Sequence, residues 1–379
     1  MIFLIPIGMV AILLLYMLKI SIYRSNWLNH PVFHPMGLPV TTPISVVIAF
    51  RNEEENLPRL LNSLEEQDYP TGLWEVILVD DHSSDGSVKI VTDFVILHPG
   101  FRYLKNEPGE EGKKPALLKG IRQAMHSLII TTDADCTMGK AWLSTIGAVY
   151  KEQAPALVIG LVDIEGGRGF FNRFQEVEFL SLIASGAAAA AGGRPIYCNA
   201  ANLAFKKELI LSYPDPMNWA VPSGDDTLFM HRIKRNPKNQ ILLLKSGNAI
   251  VKTLGARNGR EFMNQRGRWA SKSRYYTDRD AIYAAVLVFT VSLIIILSVF
   301  MAISGIYPAL FPVIIAGKSV TDYFFLKGFF RFYKKKLPVL QFLLFETIYP
   351  VYILIAAFTG LFNRYSWKER TYFKITGND

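Results

Sequence analysis

A chain of 379 residues is long enough for one large domain or two smaller ones. Half of its residues are hydrophobic, its mean hydropathy is +0.21, and its formal net charge is +9. This balance excludes a nucleic-acid binder with a uniformly polar surface and points to a basic protein with membrane segments. Cys136 and Cys198 are far apart and form neither a disulfide framework nor a metal-ligand spacing, which fits a reducing cytosolic domain.

Residues 1–18 are almost wholly apolar, and Lys19 and Arg24 follow them. The positive charge comes after the apolar run, and no small-residue cleavage site appears. We read residues 1–20 as an uncleaved anchor that starts outside and ends in the cytoplasm. Pro31, Pro35, Pro39 and Pro43 mark residues 21–43 as a linker. From Ile44 the pattern alternates. Strands are predicted over 44–50, 74–81, 101–105, 128–135 and 156–164, and helices over about 53–66, 85–97 and 114–125. This is the signature of an α/β domain, over 44–250, built on a mostly parallel sheet with helices on both faces. A long helix over 170–191 has a small-residue tail that suits either close packing or a lipid-headgroup surface.

Residues 251–280 carry eight Lys or Arg against three acids. Such a segment is drawn to an anionic cytoplasmic leaflet. Hydrophobic stretches at about 281–303, 306–326 and 338–362 then predict a C-terminal membrane region over 281–363. Lys327, Arg331, Lys334, Lys335 and Lys336 belong to a loop expected in the cytoplasm. Three full spans would leave the basic tail 364–379 outside, against the same rule. Pro308 and Pro312, Lys318 and Asp322, and Glu346 with Pro350 are places where a segment could bend back instead.

The chemistry gathers at predicted strand ends. The strand 128–135 ends in Asp133-Ala134-Asp135, where open α/β sheets bind ligands. Alternation along a strand would turn both carboxylates the same way. Two hard oxygen ligands suit Mg²⁺ or Mn²⁺ bridging to substrate phosphates, although an isolated Asp-x-Asp is more often a plain surface loop. The first strand ends in Ala49-Phe50-Arg51-Asn52-Glu53 and the second in Asp80-Asp81-His82-Ser83-Ser84-Asp85. Asp81 is the acid chosen to meet a base or ribose, and Asp85 is read as a helix cap. Lys113, at the start of a helix, could meet a diphosphate. Gly224-Asp225-Asp226 opens another helix. One of these acids would cap it, and Asp226 is the candidate general base. Gln265, Arg268 and Trp269 share a helical face offering an amide, a guanidinium and a flat ring. An amphipathic interfacial helix explains the same spacing.

The ordered set Ala-Phe-Arg-Asn-Glu, Val-Asp-Asp-x-Ser-x-Asp-Gly, Gly-Lys-x-x-Ala-Leu, Asp-Ala-Asp, Gly-Asp-Asp and Gln-x-x-Arg-Trp resembles a membrane-anchored family 2 glycosyltransferase over about residues 42–275. It departs from the family at Leu118, where Asn is frequent, and at Asp225, where Glu is commoner. The resemblance implies a GT-A fold and inverting transfer from a nucleotide diphosphate sugar, most often a UDP-sugar. It implies that Ala49, Glu53 and Asp81 border the base and ribose, with Lys113 near the nucleotide. It puts Asp133 near the ribose or phosphate and Asp135 on a divalent cation. Asp226, in the Asp225-Asp226 pair, would be the base, and Gln265, Arg268 and Trp269 would serve the diphosphate and acceptor. The expected location is the plasma or inner membrane with a cytoplasmic catalytic domain. The expected acceptor is lipid-linked or membrane-associated. The competing readings are a processive polysaccharide synthase and a non-catalytic nucleotide-sugar sensor or scaffold.

Overall fold

The computed structural model describes residues 4–35, 41–217, 219, 224, 226–362, 365–367 and 370–372. In chain order, helix α1 (Leu4–Asn29) precedes β1 (Ile44–Phe50), α2 (Leu57–Glu65), β2 (Trp74–Asp80), α3 (Ser87–Leu97) and β3 (Phe101–Lys105). There follow α4 (Lys113–Gln123), β4 (Leu128–Thr131), β5 (Thr137–Met138), α5 (Trp142–Gln153), β6 (Leu157–Ile159) and β7 (Val162–Glu165). Next come α6 (Phe170–Ala191), β8 (Leu203–Lys206), α7 (Lys207–Leu211), α8 (Thr227–Lys234), β9 (Ile241–Leu243) and β10 (Val251–Leu254). The chain continues with α9 (Gly259–Ser271), α10 (Arg279–Ile303), α11 (Leu310–Phe332) and α12 (Val339–Phe362).

These elements form two compact units. The α/β unit comprises the described residues within 31–167 and 197–255, with 366–367 and 370–372 assigned to it. Its main sheet has the order β3-β2-β1-β4-β8-β6-β9. The four strands β3, β2, β1 and β4 are parallel, β8 runs against both β4 and β6, and β9 is parallel to β6. The fold is thus mixed α/β with mostly parallel strands, as expected. A second sheet of β5, β10 and β7 adjoins the turn after β4. The single strand expected over 156–164 is in fact two. The chain leaves the main sheet after Ile159 and enters the small sheet at Val162, and the Asn202 side chain holds the crossing by donating to the Leu161 carbonyl at 2.8 Å.

Local sequence explains the packing. Helix α2 opens with Pro58, which costs no hydrogen bond in a first turn, and buries Leu57, Leu60, Leu61 and Leu64 at helical spacing. Strand β1 is buried from Ile44 through Ile48, as a central parallel strand covered on both faces must be.

The helical unit comprises residues 1–30, 168–196 and 256–365. The α/β domain expected over 44–250 is therefore interrupted by α6, which belongs to the helical unit, and it extends through β10 to residue 255. Helix α1 continues to Asn29, well past the expected end of the anchor. Among the described residues, three helices are long and apolar enough to cross a membrane: Ile5–Asn29, Arg279–Ile303 and Val339–Gly360. The segment expected to span at 306–326 is the continuous helix α11. Its Lys318 is buried between Asp322 at 2.8 Å and Glu346 at 2.5 Å, and Asp322 also accepts from the Tyr16 hydroxyl. Lys327 and Arg331 lie within α11, so the basic loop is shorter than expected. Pro350 lies inside α12 without ending it. Arg364, Lys368 and Lys374 of the tail lie outside the described residues.

One carboxylate ties the α/β unit together. Glu75, buried on β2, accepts from the Met125 amide at 2.6 Å, Ser45 Oγ at 2.7 Å and Arg102 Nη1 at 2.9 Å. Burial alone would raise its pKa, but these three donors outweigh it and hold the carboxyl below its usual 4.5. A depressed folded pKa contributes stability that is present above the unfolded value and lost as pH falls through the folded one. Glu75→Gln should therefore destabilise the protein by about 1–3 kcal/mol at neutral pH. Denaturant titrations over a pH series should show the gap from wild type closing below about pH 4.

Candidate functional site

The site is built on β1 and its two neighbours. The chain builds β2 and β3 on one side of β1, then crosses to place β4 on the other. This reversal of strand order opens a crevice at the carboxyl ends of β1 and β4. Asp133 and Asp135 follow β4 there. They sit in a turn beyond Thr131, closed by the Cys136 amide on the Asp133 carbonyl at 3.2 Å, so strand alternation does not orient them as expected.

The loops after β1 and β2 interlock. Arg51 Nη1 donates to the carbonyls of Asp81 and His82 at 2.8 Å each. The Asn52 side chain accepts from the Ser84 amide at 2.8 Å, and the Glu53 amide donates to Ser87 Oγ at 2.7 Å. Asn52 and His82 both have left-handed backbones, with φ of 49° and 61°. Such conformations in non-glycine residues persist where surroundings over-determine them, and they gather at functional sites. Asp85 accepts from the Ser87 amide at 3.0 Å and the Glu54 amide at 3.2 Å, but the N-cap of α3 is Gly86, one residue beyond the expected cap.

Asp81 is buried and accepts from the Gly112 amide at 2.8 Å. Gly112 has φ of 110°, a conformation that side chains resist, and it delivers the chain into α4 with Lys113 in the first turn. Asp80 accepts from the Ser83 amide at 2.9 Å, and its second oxygen is buried with no hydrogen-bond partner among the described residues. Ala49 is half-buried on β1, paired with Val79. Glu53 accepts from the Asn56 side chain at 2.7 Å.

Lys113 Nζ meets Asp133 Oδ1 at 2.6 Å. Asp135 accepts from Thr253 Oγ1 on β10 at 3.3 Å. Burial, then the Asp133 and Glu53 carboxylates, push its pKa up to about 6. Among the described residues, no group of three or more His, Cys, Asp or Glu side chains is arranged to hold a metal ion. The acids nonetheless fit a cation of the kind that takes one or two carboxylates and fills its shell with water and phosphate oxygens. Burial raises Asp135 most and the neighbouring carboxylates add to it, and a divalent ion would offset that repulsion.

Asp226 is buried at the start of α8. Its Oδ1 accepts from the Thr227 amide at 2.6 Å, so the capping acid and the candidate base are the same residue. Its Oδ2 accepts from the Ala200 amide at 3.3 Å. The carbonyl of Ala200 accepts from Thr131 Oγ1 at 2.8 Å, so one residue joins the end of β4 to the start of α8. Asp225 lies outside the described residues.

Gln265, Arg268 and Trp269 lie on α9 in the helical unit, each half-buried. The Trp269 ring packs 6.2 Å from that of Phe179 on α6. Sequence reasoning missed Arg51, Asn52 and Thr253. The left-handed backbone of Asn52 has no sequence signal beyond asparagine's tolerance for it, and Thr253 fell in a segment read as juxtamembrane.

Residues 45–210 match the model of glycosyl transferase family 2. The chain is similar to a glycosyltransferase, AglE, of Haloferax volcanii, with 31% identity over 130 residues, 34% of this chain and 40% of that protein. It is also similar to a poly-beta-1,6-N-acetyl-D-glucosamine synthase of Staphylococcus epidermidis, with 30% identity over 37% of this chain and 33% of that one. The match thus spans less than half the length of these relatives. Among solved structures, a mannosyltransferase of Pyrobaculum calidifontis in complex with GDP-Man and Mn²⁺ aligns with 95% of this chain and 99% of its own. Its TM-score is 0.54 at 17% identity, a likeness of fold.

The geometry makes a prediction that is independent of activity. Asp81→Ala removes the acceptor of the Gly112 amide, worth about 1–3 kcal/mol where the donor is left buried. Hydrogen exchange across residues 107–113 should accelerate about tenfold or more, with β1 and β2 unchanged. The doubly wound unit is consistent with a GT-A fold of the family 2 glycosyltransferase kind.

Proposed function

We propose that this chain is an inverting glycosyltransferase that moves a sugar from a nucleotide diphosphate donor to a hydroxyl of a lipid-linked or membrane-associated acceptor. The observation that carries this reading is the Ala200 bridge. It ties the start of α8, and with it Asp226, to the strand end that leads into Asp133 and Asp135. Acids that suit a donor diphosphate and a carboxylate that suits a base thus belong to one frame. The GDP-Man and Mn²⁺ named with the Pyrobaculum structure support a nucleotide diphosphate sugar and a divalent ion. The apolar helices among the described residues support a membrane-associated acceptor and an integral membrane location; the reading of the α/β unit as cytoplasmic rests on Lys19 and Arg24, which follow the first apolar run.

In this reading Ala49, Glu53 and Asp81 border the base and ribose, and Lys113 neutralises part of the diphosphate charge. Asp133 aligns the Lys113 ammonium, and Asp135 would hold Mg²⁺ or Mn²⁺. When bound, the cation supplies further charge neutralisation to the leaving diphosphate. Asp226 accepts the proton of the acceptor hydroxyl as that oxygen bonds to the anomeric carbon. The bond from this carbon to the diphosphate oxygen breaks on the opposite face, and the nucleotide diphosphate leaves with the electron pair. Backbone amides already orient the Asp226 carboxylate, as a positioned general base requires. Asp225 flanks the base in sequence, and Gln265, Arg268 and Trp269 are given their diphosphate and acceptor roles by the motif alone.

Purified protein should transfer sugar from one of a panel of labelled nucleotide sugars to a membrane-extract acceptor, and product sizing separates a one-sugar lipid from a polymer. Asp226→Asn should lower transfer by about 10²-fold or more while leaving donor binding intact. Unchanged turnover in that variant would remove Asp226 as the base. Excess chelator should stop transfer and added Mn²⁺ or Mg²⁺ restore it; full activity in chelator would remove Asp135 from its ion-binding role.

A further inference from the structure

The most firmly held side chain of α9 belongs to a residue that the Gln-x-x-Arg-Trp pattern leaves unassigned. Arg266 is only 3% exposed. Its Nε donates to both carboxylate oxygens of Glu178 on α6 at 2.9 Å, and its Nη2 donates to Glu178 Oε2 as well. Glu178 is fixed in turn by the Tyr352 hydroxyl of α12 at 2.7 Å. The remaining groups of the guanidinium face the motif. Nη1 donates to Gln265 Oε1. The guanidinium carbon lies 4.2 Å from the Trp269 ring centroid and 4.5 Å from that of Phe262. Helix α9 also seats closely on α12 at Gly360, where an added Cβ would come within 2.9 Å of the Ser271 amide nitrogen.

We propose that Arg266 is the positioning residue of this segment. Anchored by Glu178 and Tyr352, its planar guanidinium fixes the amide of Gln265 and the ring of Trp269 for sugar transfer. The proposal rests on the glycosyltransferase reading above, in which those two side chains take part. The chemistry asks for arginine in particular. Only a guanidinium presents several donors in one plane and two flat faces, so it can chelate a carboxylate, bond an amide and stack on aromatic rings at once. A lysine ammonium could answer Glu178, but it offers no plane to stack against Trp269.

The test separates positioning from charge balance, using full-length protein in detergent or nanodiscs. Arg266→Met alone leaves the Glu178 carboxylate buried without its cation and should lower the melting temperature. Glu178→Gln/Arg266→Met removes both charges and should recover most of that loss. If Arg266 positions the motif, the double variant should still lose about tenfold in kcat/KM for transfer. Arg266→Lys, which keeps the ion pair, should show the same loss while remaining folded. A second readout does not need turnover. The emission of Trp269, isolated by subtracting the matched Trp269→Phe protein, should shift in both the double variant and Arg266→Lys. Wild-type kcat/KM together with unshifted Trp269 emission in Arg266→Lys would overturn the proposal. A wild-type protein that transfers no sugar from any donor overturns the glycosyltransferase reading instead, and the emission shift then still decides whether Arg266 sets the ring.

Discussion

The parallel pairing of β1 with β2 on one side and β4 on the other is the constraint on which the candidate site depends. Backbone hydrogen bonding fixes all three strands in register, from Ile44 opposite Trp74 and Leu128 to Phe50 opposite Asp80. Their carboxyl ends therefore emerge together. The chain turns back across β1 between β3 and β4, so the flanking loops diverge there and leave a crevice. The polar loops that emerge are not left to solvent. Arg51, Asn52 and the hydroxyls of Ser83 and Ser87 knit the β1 loop to the β2 loop, and Asn52 and His82 hold left-handed backbones as part of that weave. A rigid sheet thus sets where the acids begin, and side-chain bonds set where they point.

The two central carboxylates sit in opposite electrostatic surroundings. Burial, and then the nearby Asp133 and Glu53 carboxylates, work against the ionised form of Asp135. Lys113 answers Asp133 directly. Such a cluster gains free energy when positive charge enters it, which suits a cation arriving with a phosphorylated ligand. Asp226 instead accepts from a backbone amide on each oxygen at the start of α8. Two acids of one kind are thereby suited to different tasks, and the difference arises from neighbours rather than from the residues themselves.

What the sequence made legible follows from what is local. Alternating apolar strands and amphipathic helices carry their own period, so β1, β2, β3, α3 and α6 fall close to their predicted bounds. The strand after α5 misled because its apolar run is continuous, whereas the chain changes sheets within it at a step held by Asn202, some forty residues on. The turn at Asp133 to Asp135 has the sequence pattern of a strand because β-branched residues lead into it. Thr253 and the Ala200 bridge join residues distant in sequence, and no local pattern announces them. Helix α11 was read as a membrane span on its apolar residues. Its Lys318 and Asp322 find their partners Tyr16 and Glu346 only once the helices α1 and α12 are in place.

Helix α9 is a further case in which the deciding contacts are distant in sequence. A spacing argument identifies a face by the residues that recur on it, and so it chose Gln265, Arg268 and Trp269. It cannot weigh Arg266, whose partner Glu178 lies 88 positions away on α6 and is itself held by Tyr352 on α12. A buried ion pair is a poor device for stability alone, because removing two charges from water costs about as much as their attraction returns. Apolar side chains could fill the space between α6, α9 and α12 as well as Glu178 and Arg266 do. What an apolar pair could not supply is direction: a hydrogen-bond donor aimed at Gln265 and a flat cation against Trp269. The geometry of this cluster is therefore better explained by what it orients than by what it stabilises.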